Sequence, residues 1–185
     1  MSLTPADIVY LVIFFIVIFP MFVVAYYELL TKVPVVSTFP WVRGRAMKVL
    51  RKHIPEDQNV RICEFGSGWG DFALCMARHF PNASIKTLEY SPYPYLICRI
   101  KNFFLRRKVS FVRADFFKED WSKFDILIMY LKPSVMRKVQ EKIEKDKLKD
   151  FTLMTMSFHL GRLQPDEEYI VDFKLDKIPI YVYKF

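Results

Sequence analysis

The hydrophobic rhythm of this chain changes once, early. From Ile8 to Tyr27 there are 20 consecutive positions without a charge, filled mostly by Ile, Val, Phe, Leu and Tyr. About 20 such residues cross a bilayer core as a helix. Pro20 is tolerated in such helices, and Tyr10, Tyr26 and Tyr27 stand near the ends, where aromatic rings favour the interface. A cleaved leader would carry basic residues ahead of a shorter apolar core, and Asp7 stands there instead. From Lys32 onward the pattern becomes short apolar runs alternating with segments of helical spacing.

The runs at 60–65, 84–89, 109–113, 125–129 and 151–157 predict strands. Ile126-Leu127-Ile128-Met129 is continuously apolar, as in a strand buried on both faces. Between the runs, 71–79 and 92–106 predict helices. A third helix is expected at 135–147, with Ser134 as its N-cap and Val135, Val139 and Ile143 on one face. Residues 32–41 read as a Pro-punctuated connector, apolar enough to pack over the domain. Residues 42–53 read as a basic amphipathic helix burying Val42, Ala46 and Val49 or Leu50, and 54–59 as a turn. Two alternating runs, 169–174 and 180–183, predict an antiparallel hairpin at one edge. Strands alternating with helices mean an α/β fold: a doubly wound, mostly parallel sheet with a C-terminal antiparallel edge hairpin, preceded by one transmembrane helix.

The most informative stretch is Glu64-Phe65-Gly66-Ser67-Gly68-Trp69-Gly70-Asp71. An apolar strand ends in an acid and hands over to a helix through three alternating glycines. Such a bend, in Rossmann-like folds, lies against a nucleotide, because a Cβ would hold the backbone away. Glu89 closes the second strand, where a carboxylate suits ribose hydroxyls. A phosphate loop would need Gly-Lys-Ser/Thr, and none follows. A dinucleotide loop would want a small residue where Asp71 stands, and Glu64 would repel a pyrophosphate. S-adenosylmethionine, with a sulfonium, an ammonium and no phosphate, fits better. After the third strand, Asp115 is placed to accept from an adenine amine and Phe116 to wall off its ring, with Tyr90 as a further wall. Tyr130, after the fourth strand, is the candidate to face the methyl donor; aromatic faces attract an amine's charged form.

All 28 Lys and Arg residues lie at or after Lys32, giving +10 from Lys32 onward. The positive-inside rule then puts the body on the cytoplasmic or equivalent organellar side, as a single-pass protein. Lys32, Arg43, Arg45, Lys48, Arg51 and Lys52 are placed to meet anionic headgroups. That reading explains where the charge sits, whereas nucleic-acid binding explains only its sign, so nucleic acid is not expected. Cys63, Cys75 and Cys98 read as buried reduced thiols. No Cys/His spacing suggests a metal, and His53, His79 and His159 are scattered.

The glycine loop, Glu89, Asp115 and the segment after the fourth strand together resemble the seven-β-strand, S-adenosylmethionine-dependent methyltransferases. Within them, Tyr130-Leu131-Lys132-Pro133-Ser134-Val135, Met156-Ser157-Phe158 and Leu163-Gln164-Pro165 resemble one subgroup. It includes the mitochondrial lysine methyltransferases of the ADP/ATP carrier and of the ATP synthase c-subunit, with microbial relatives. Its members carry an N-terminal hydrophobic segment and a Pro/Thr-containing connector, as 33–40 does here. Trp69 and Asp71 depart from its usual loop, and no Asn-Pro-Pro-Tyr motif of amide- and adenine-methylating relatives is present. The resemblance implies an anchor at 1–31, a connector and basic helix at 32–59, and a methyltransferase domain at 60–185. It implies S-adenosylmethionine held by Thr38, Glu64, Phe65, Gly66, Ser67, Gly68, Trp69, Gly70, Glu89, Tyr90, Asp115 and Phe116, with Tyr130 and Pro133 in catalytic positions. The expected function is lysine methylation of a membrane protein, with the bilayer held through residues 8–27. A lipid or other membrane-associated small molecule as substrate, and a non-enzymatic nucleoside-binding relative, remain open alternatives.

Overall fold

The computed structural model describes residues 4–32, 34–35, 37–54, 59–173 and 176–185. Most of the expected turn at 54–59, Val33 and Val36 of the connector, and Lys174 and Leu175 between the last two strands lie outside the described residues. The chain separates into two units, Met1–Val35 and Val36–Phe185.

The first unit is one helical rod. Helix α1 (Pro5–Ile13) opens with a capping box, in which Thr4 Oγ1 accepts from the Asp7 amide and Asp7 accepts from the Thr4 amide. It continues through a wider π turn, Phe14–Ile18, into α2 (Phe19–Thr31). The Phe19 amide donates to the Phe14 carbonyl, five residues back, one residue ahead of Pro20, whose ring cannot donate. Together the rod is 27 residues, about 40 Å of helix.

The second unit is a seven-stranded sheet in the order β3-β2-β1-β4-β5-β7-β6. Its strands are β1 (Arg61–Phe65), β2 (Ser84–Glu89), β3 (Val109–Arg113), β4 (Ile126–Met129), β5 (Thr152–Met156), β6 (Glu167–Phe173) and β7 (Asp176–Lys184). The first five are parallel; β7 runs antiparallel between β5 and β6. The final hairpin is longer than its alternating core suggests, because Ile178 and Pro179 continue the ladder against Ile170 and Val171. Helices α3 (Pro40–His53), α4 (Asp71–His79) and α5 (Pro92–Phe104) supply Val42, Ala46, Leu50, Phe72, Met76 and Cys98 to one core with Ile62, Ile126 and Ile128. The opposite residues of the same strands, Cys63, Phe65, Leu127 and Met129, are equally buried, as period-two alternation in a doubly covered sheet requires. Helix α6 (Pro133–Asp146) buries Met136, Val139 and Ile143.

The α6 start corrects the expected cap. Lys132 is the N-cap and Pro133 occupies the first turn, with Ser134 inside the helix. A proline there loses nothing, since the N–H it lacks would have had no intrahelical partner, and its fixed φ suits the helix.

Strand order reverses between β1 and β4: the chain winds outward to β3 on one side and to β5 on the other. The carboxyl ends of β1 and β4 therefore border the crevice where open α/β sheets bind ligands.

Candidate active site

The β1–α4 loop is held in shape by its own backbone and by β2. Gly66, Gly68 and Gly70 have φ of 73°, 51° and 76°, conformations that L side chains rarely adopt. A Cβ on Gly66 would stand 3.0 Å from Leu131 Cδ2, and one on Gly70 would stand 2.7 Å from Cys98 Sγ. The loop is thus pressed between the segment after β4 and the buried face of α5. The Gly66 amide donates to the Leu88 carbonyl at 2.8 Å and Gly70 to Ser67 at 2.8 Å.

Glu89 clamps the loop. Its Oε2 accepts from the Gly68 amide and its Oε1 from the Ser91 amide, both at 2.8 Å. The carboxyl is almost wholly buried, and burial pushes its pKa up while those amides pull it back. Each oxygen still has a lone pair beyond the bond it makes, so the clamp leaves acceptor capacity for a ribose hydroxyl.

Glu64 is the less satisfied of the two acids. It is 6% exposed, and Oε2 has no hydrogen-bond partner. Its pKa is raised well above the ordinary carboxyl value, by burial first and then by the negative charges of Glu89 and Asp71. Ser67 Oγ is also buried without a partner. Two orphaned polar atoms, one at the end of β1 and one on the loop that follows, are a costly arrangement for an empty fold. They suit a ligand that brings a cation and hydrogen-bonding groups, and so they fit the ammonium and sulfonium of S-adenosylmethionine better than any phosphate.

Other expected residues are placed as follows. Asp115 follows β3 on the same sheet edge; its Oδ1 accepts from the Phe117 amide at 3.0 Å and starts a short 3-10 turn. Phe116 is half-buried and stacks on Phe65, with ring centroids 4.9 Å apart at 9°. Phe65 is fully buried and also meets Trp121 at 4.9 Å. By strand alternation its ring lies on the opposite face of the sheet from Glu64. Tyr90 is exposed, just beyond Glu89. Trp69 packs edge-on against Tyr93 at 6.2 Å. Tyr130, half-buried, packs against the core that holds Ile62 and Ile128, on the Glu64 face of the sheet. Pro133 is exposed and borders a groove of about 570 Å³ outside the glycine loop, lined also by Arg137, Gln140, Phe158 and His159. Thr38 is buried, in a connector whose next residue, Phe39, stacks on Trp41 at 4.6 Å.

Several supporting residues escaped the sequence reading. Lys101 Nζ donates to the Trp69 carbonyl at 3.0 Å and to Asp71 Oδ1 at 2.9 Å. Cys98 Sγ donates to the Gly68 carbonyl at 3.1 Å. Ser37 Oγ donates to Asp71 Oδ2 at 2.9 Å. The 98/101 spacing on a helix was the available signal, since residues three apart share a face. Asp71, expected to crowd a dinucleotide loop, is the hub that Lys101 and Ser37 grip. Among the described residues no group of His, Cys, Asp and Glu could hold a metal.

With this geometry in place, the comparisons are specific. No curated protein matches the chain. Among solved structures, it shares its fold with an RNA methyltransferase from Salinibacter ruber in complex with S-adenosyl-L-homocysteine (24% identity over 80% of this chain and 94% of that one, TM-score 0.67). It is similar also to a precorrin-6y C5,15-methyltransferase from Geobacter metallireducens GS-15 (15%, 80% and 90%, 0.60). A third neighbour is the magnesium protoporphyrin IX methyltransferase of Synechocystis PCC 6803 with bound S-adenosylmethionine (12%, 76% and 76%, 0.59). The family described as ANTKMT methyltransferase domain matches residues 64–167, from the acid that opens the glycine loop to the first residue of β6. That is more than half of the chain and takes in every strand tip around the crevice: the chain belongs to the ANTKMT methyltransferase domain family and is an S-adenosylmethionine-dependent methyltransferase.

Proposed function

We propose that this chain is a membrane-anchored methyltransferase that modifies a lysine of a membrane protein. The observation that carries the reading is the joining of two parts in one polypeptide: a 27-residue helix with an uncharged core, and a family match covering the crevice. The rod is long enough to cross the roughly 30 Å hydrocarbon core. The confinement of basic residues to positions from Lys32 onward supports a body on the cytoplasmic or equivalent side. The lysine preference is supported by the sequence resemblance to lysine methyltransferases of membrane proteins, with which the family match agrees.

In this reading Glu64, Ser67, Gly68 and Glu89 hold the cofactor, which supplies an electrophilic methyl on a sulfonium. Glu89 receives the ribose hydroxyls, Asp115 the adenine amine, and Thr38 closes from the connector. Tyr130 presents its ring to the incoming amine. A substrate ammonium is attracted to that face and must shed its proton before it can act as a nucleophile, so exclusion of water around the ring favours the neutral form. The chain's own part in the reaction is positioning and desolvation, with the substrate approaching beside Pro133.

Purified full-length protein, labelled S-adenosylmethionine and membranes test the reading. Label in a membrane-protein band, recovered as methyllysine after hydrolysis and lost with Tyr130→Ala, is the expected result. Label in the organic extract moves the substrate to lipid. Absence of transfer by a chain that binds S-adenosylhomocysteine rejects catalysis.

A further inference from the structure

Helix α5 carries a second feature that the cofactor crevice does not use. Leu96, Ile100 and Phe103 recur at helical spacing and are 51%, 43% and 77% exposed; Phe104 and Leu105 follow at 76% and 54%. The opposite face of the same helix buries Pro94 and Cys98. The apolar stripe is therefore largely surplus to the core: a helix with both faces apolar, one of which stays mostly exposed among the described residues.

The charge around the stripe is one-sided. Between Tyr90 and Ala114 there are six basic residues and no acidic one. Lys101 is committed to Asp71. Arg99 donates to the Tyr95 hydroxyl at 3.2 Å, and no carboxylate among the described residues pairs with Arg99, Arg106, Arg107 or Lys108. Arg99, Phe103, Phe104, Arg106 and Arg107 border a shallow groove of about 690 Å³.

Contiguous exposed apolar side chains rimmed by cations mark an interaction surface. A second copy of the chain, docked face to face, would set these cations against one another, since a two-fold interface pairs the same patch with itself. A polyanion such as nucleic acid would satisfy the cations and leave five large apolar side chains in water. An anionic bilayer surface satisfies both: Phe and Leu enter the headgroup region and the arginines meet phosphates, their stems lying along the apolar surface. We propose that α5 is an interfacial docking helix, which lays the catalytic domain on anionic lipid. The docking rests on the membrane reading above and adds a surface to it. The first turn of α5 abuts the crevice through Ser91, whose amide donates to Glu89. A domain lying on α5 therefore holds its cofactor crevice at the bilayer surface, within about one helix length, 20 Å, of the far end of the stripe.

The test uses the full chain reconstituted in vesicles of phosphatidylcholine, alone or with an anionic phospholipid, carrying a lipid-borne nitroxide quencher. In a Cys75→Ala background, with Cys63 and Cys98 buried, a fluorophore is placed at Leu105→Cys, Phe15→Cys or Lys149→Cys. Quenching at 15 and 105 but not at 149, stronger with anionic lipid, is expected. Phe103→Ser with Phe104→Ser should abolish quenching at 105 alone and leave S-adenosylhomocysteine binding unchanged. Each arginine of Arg106→Gln and Arg107→Gln should weaken docking about fivefold. Quenching at 15 with 105 no different from 149 overturns the docking and leaves the anchor standing. A reporter at 105 shielded from both lipid nitroxide and aqueous iodide reveals a protein partner and overturns it too. Quenching at 105 without quenching at 15 keeps the docking and removes the anchor; quenching at neither removes both.

Discussion

Ser37 Oγ lies 2.9 Å from Asp71 Oδ2, across 34 positions of sequence. The bond ties the connector ahead of β1 to the first residue of the helix that leaves the glycine loop. Lys101 grips the other Asp71 oxygen at 2.9 Å, and Arg43 lies 4.0 Å away. Asp71 sits where a helix N-terminus favours an anion, so three elements converge on a charge that the helix itself stabilises. Ser37→Ala should leave global stability almost unchanged, because a single solvent-accessible hydrogen bond contributes about 1 kcal/mol or less. It should raise amide exchange across 37–41, and its effect on S-adenosylhomocysteine affinity measures how far the connector contributes to the pocket through Thr38.

Glu89→Ala removes a buried carboxylate that accepts from two backbone amides. Charge-assisted bonds of this kind contribute about 1.5–3 kcal/mol each, and the loop loses its clamp together with the proposed ribose acceptor. Calorimetry should show S-adenosylhomocysteine binding weakened by more than about tenfold. Glu89→Gln should recover part of it, since one amide oxygen remains an acceptor while the NH2 opposes one of the two backbone donors.

Gly70→Ala forces a Cβ to 2.7 Å from Cys98 Sγ at a φ of 76°. Overpacking costs about 1–3 kcal/mol and left-handed backbone about 1–2 kcal/mol, so thermal or urea unfolding should show a loss of roughly 2–5 kcal/mol. Adding Cys98→Ala should return the larger part of the overpacking share and leave the backbone share with the tight approach to the Phe111 ring at 3.1 Å. A double variant no better than Gly70→Ala alone would show that the thiol is not what the methyl meets.

Glu64 sets a pH dependence whose sign follows from burial. Its pKa is raised in the fold, so the folded protein keeps a proton that the unfolded chain releases. Stability from this group is complete below its ordinary value of 4.5 and is lost as pH rises through the folded value. Glu64→Gln should therefore flatten the stability profile. Relieving the cost of keeping this buried carboxyl protonated, about 1 kcal/mol or more, should raise the melting temperature of the ligand-free protein at neutral pH by roughly 2–4 °C. The same substitution should weaken cofactor binding. In the native protein, binding a cation should release a proton, seen as a calorimetric enthalpy that varies with the buffer's ionisation enthalpy.

Tyr130 separates a ring from a hydroxyl. If its face receives the amine, Tyr130→Phe should keep most of the methyl transfer and Tyr130→Ala should lose up to about thirtyfold, the equivalent of a 2 kcal/mol cation–π contact. S-adenosylhomocysteine affinity, measured alongside, should be the same for both.

Local pattern alone carried a great deal. The uncharged run at 8–27, the continuous Ile126–Met129 strand and the three alternating glycines each constrain a few adjacent residues, through solvation, pleat or φ, and each is where it was expected. The acids at the strand tips belong to the same class: a parallel sheet puts every strand's carboxyl end on one edge, so Glu64, Glu89 and Asp115 share it as soon as the strands are known. The α6 cap was misassigned because Ser134 and Pro133 both favour a first turn, and only the backbone shows which residue begins it.

Packing between distant segments decided the rest. Phe65 and Glu64 are adjacent in sequence yet face opposite layers, one stacked on Phe116 and the other with one carboxyl oxygen unpartnered beside the loop. Asp71 became a hub because the chain brings Ser37 and Lys101 to it from either side. Leu96, Ile100 and Phe103 have the spacing of an ordinary core stripe, and only the assembled sheet shows that they stay exposed among the described residues. A pattern in the chain records which residues would gain by leaving water. Which of them do so is settled when the layers close, because burial belongs to pairs of surfaces rather than to single residues.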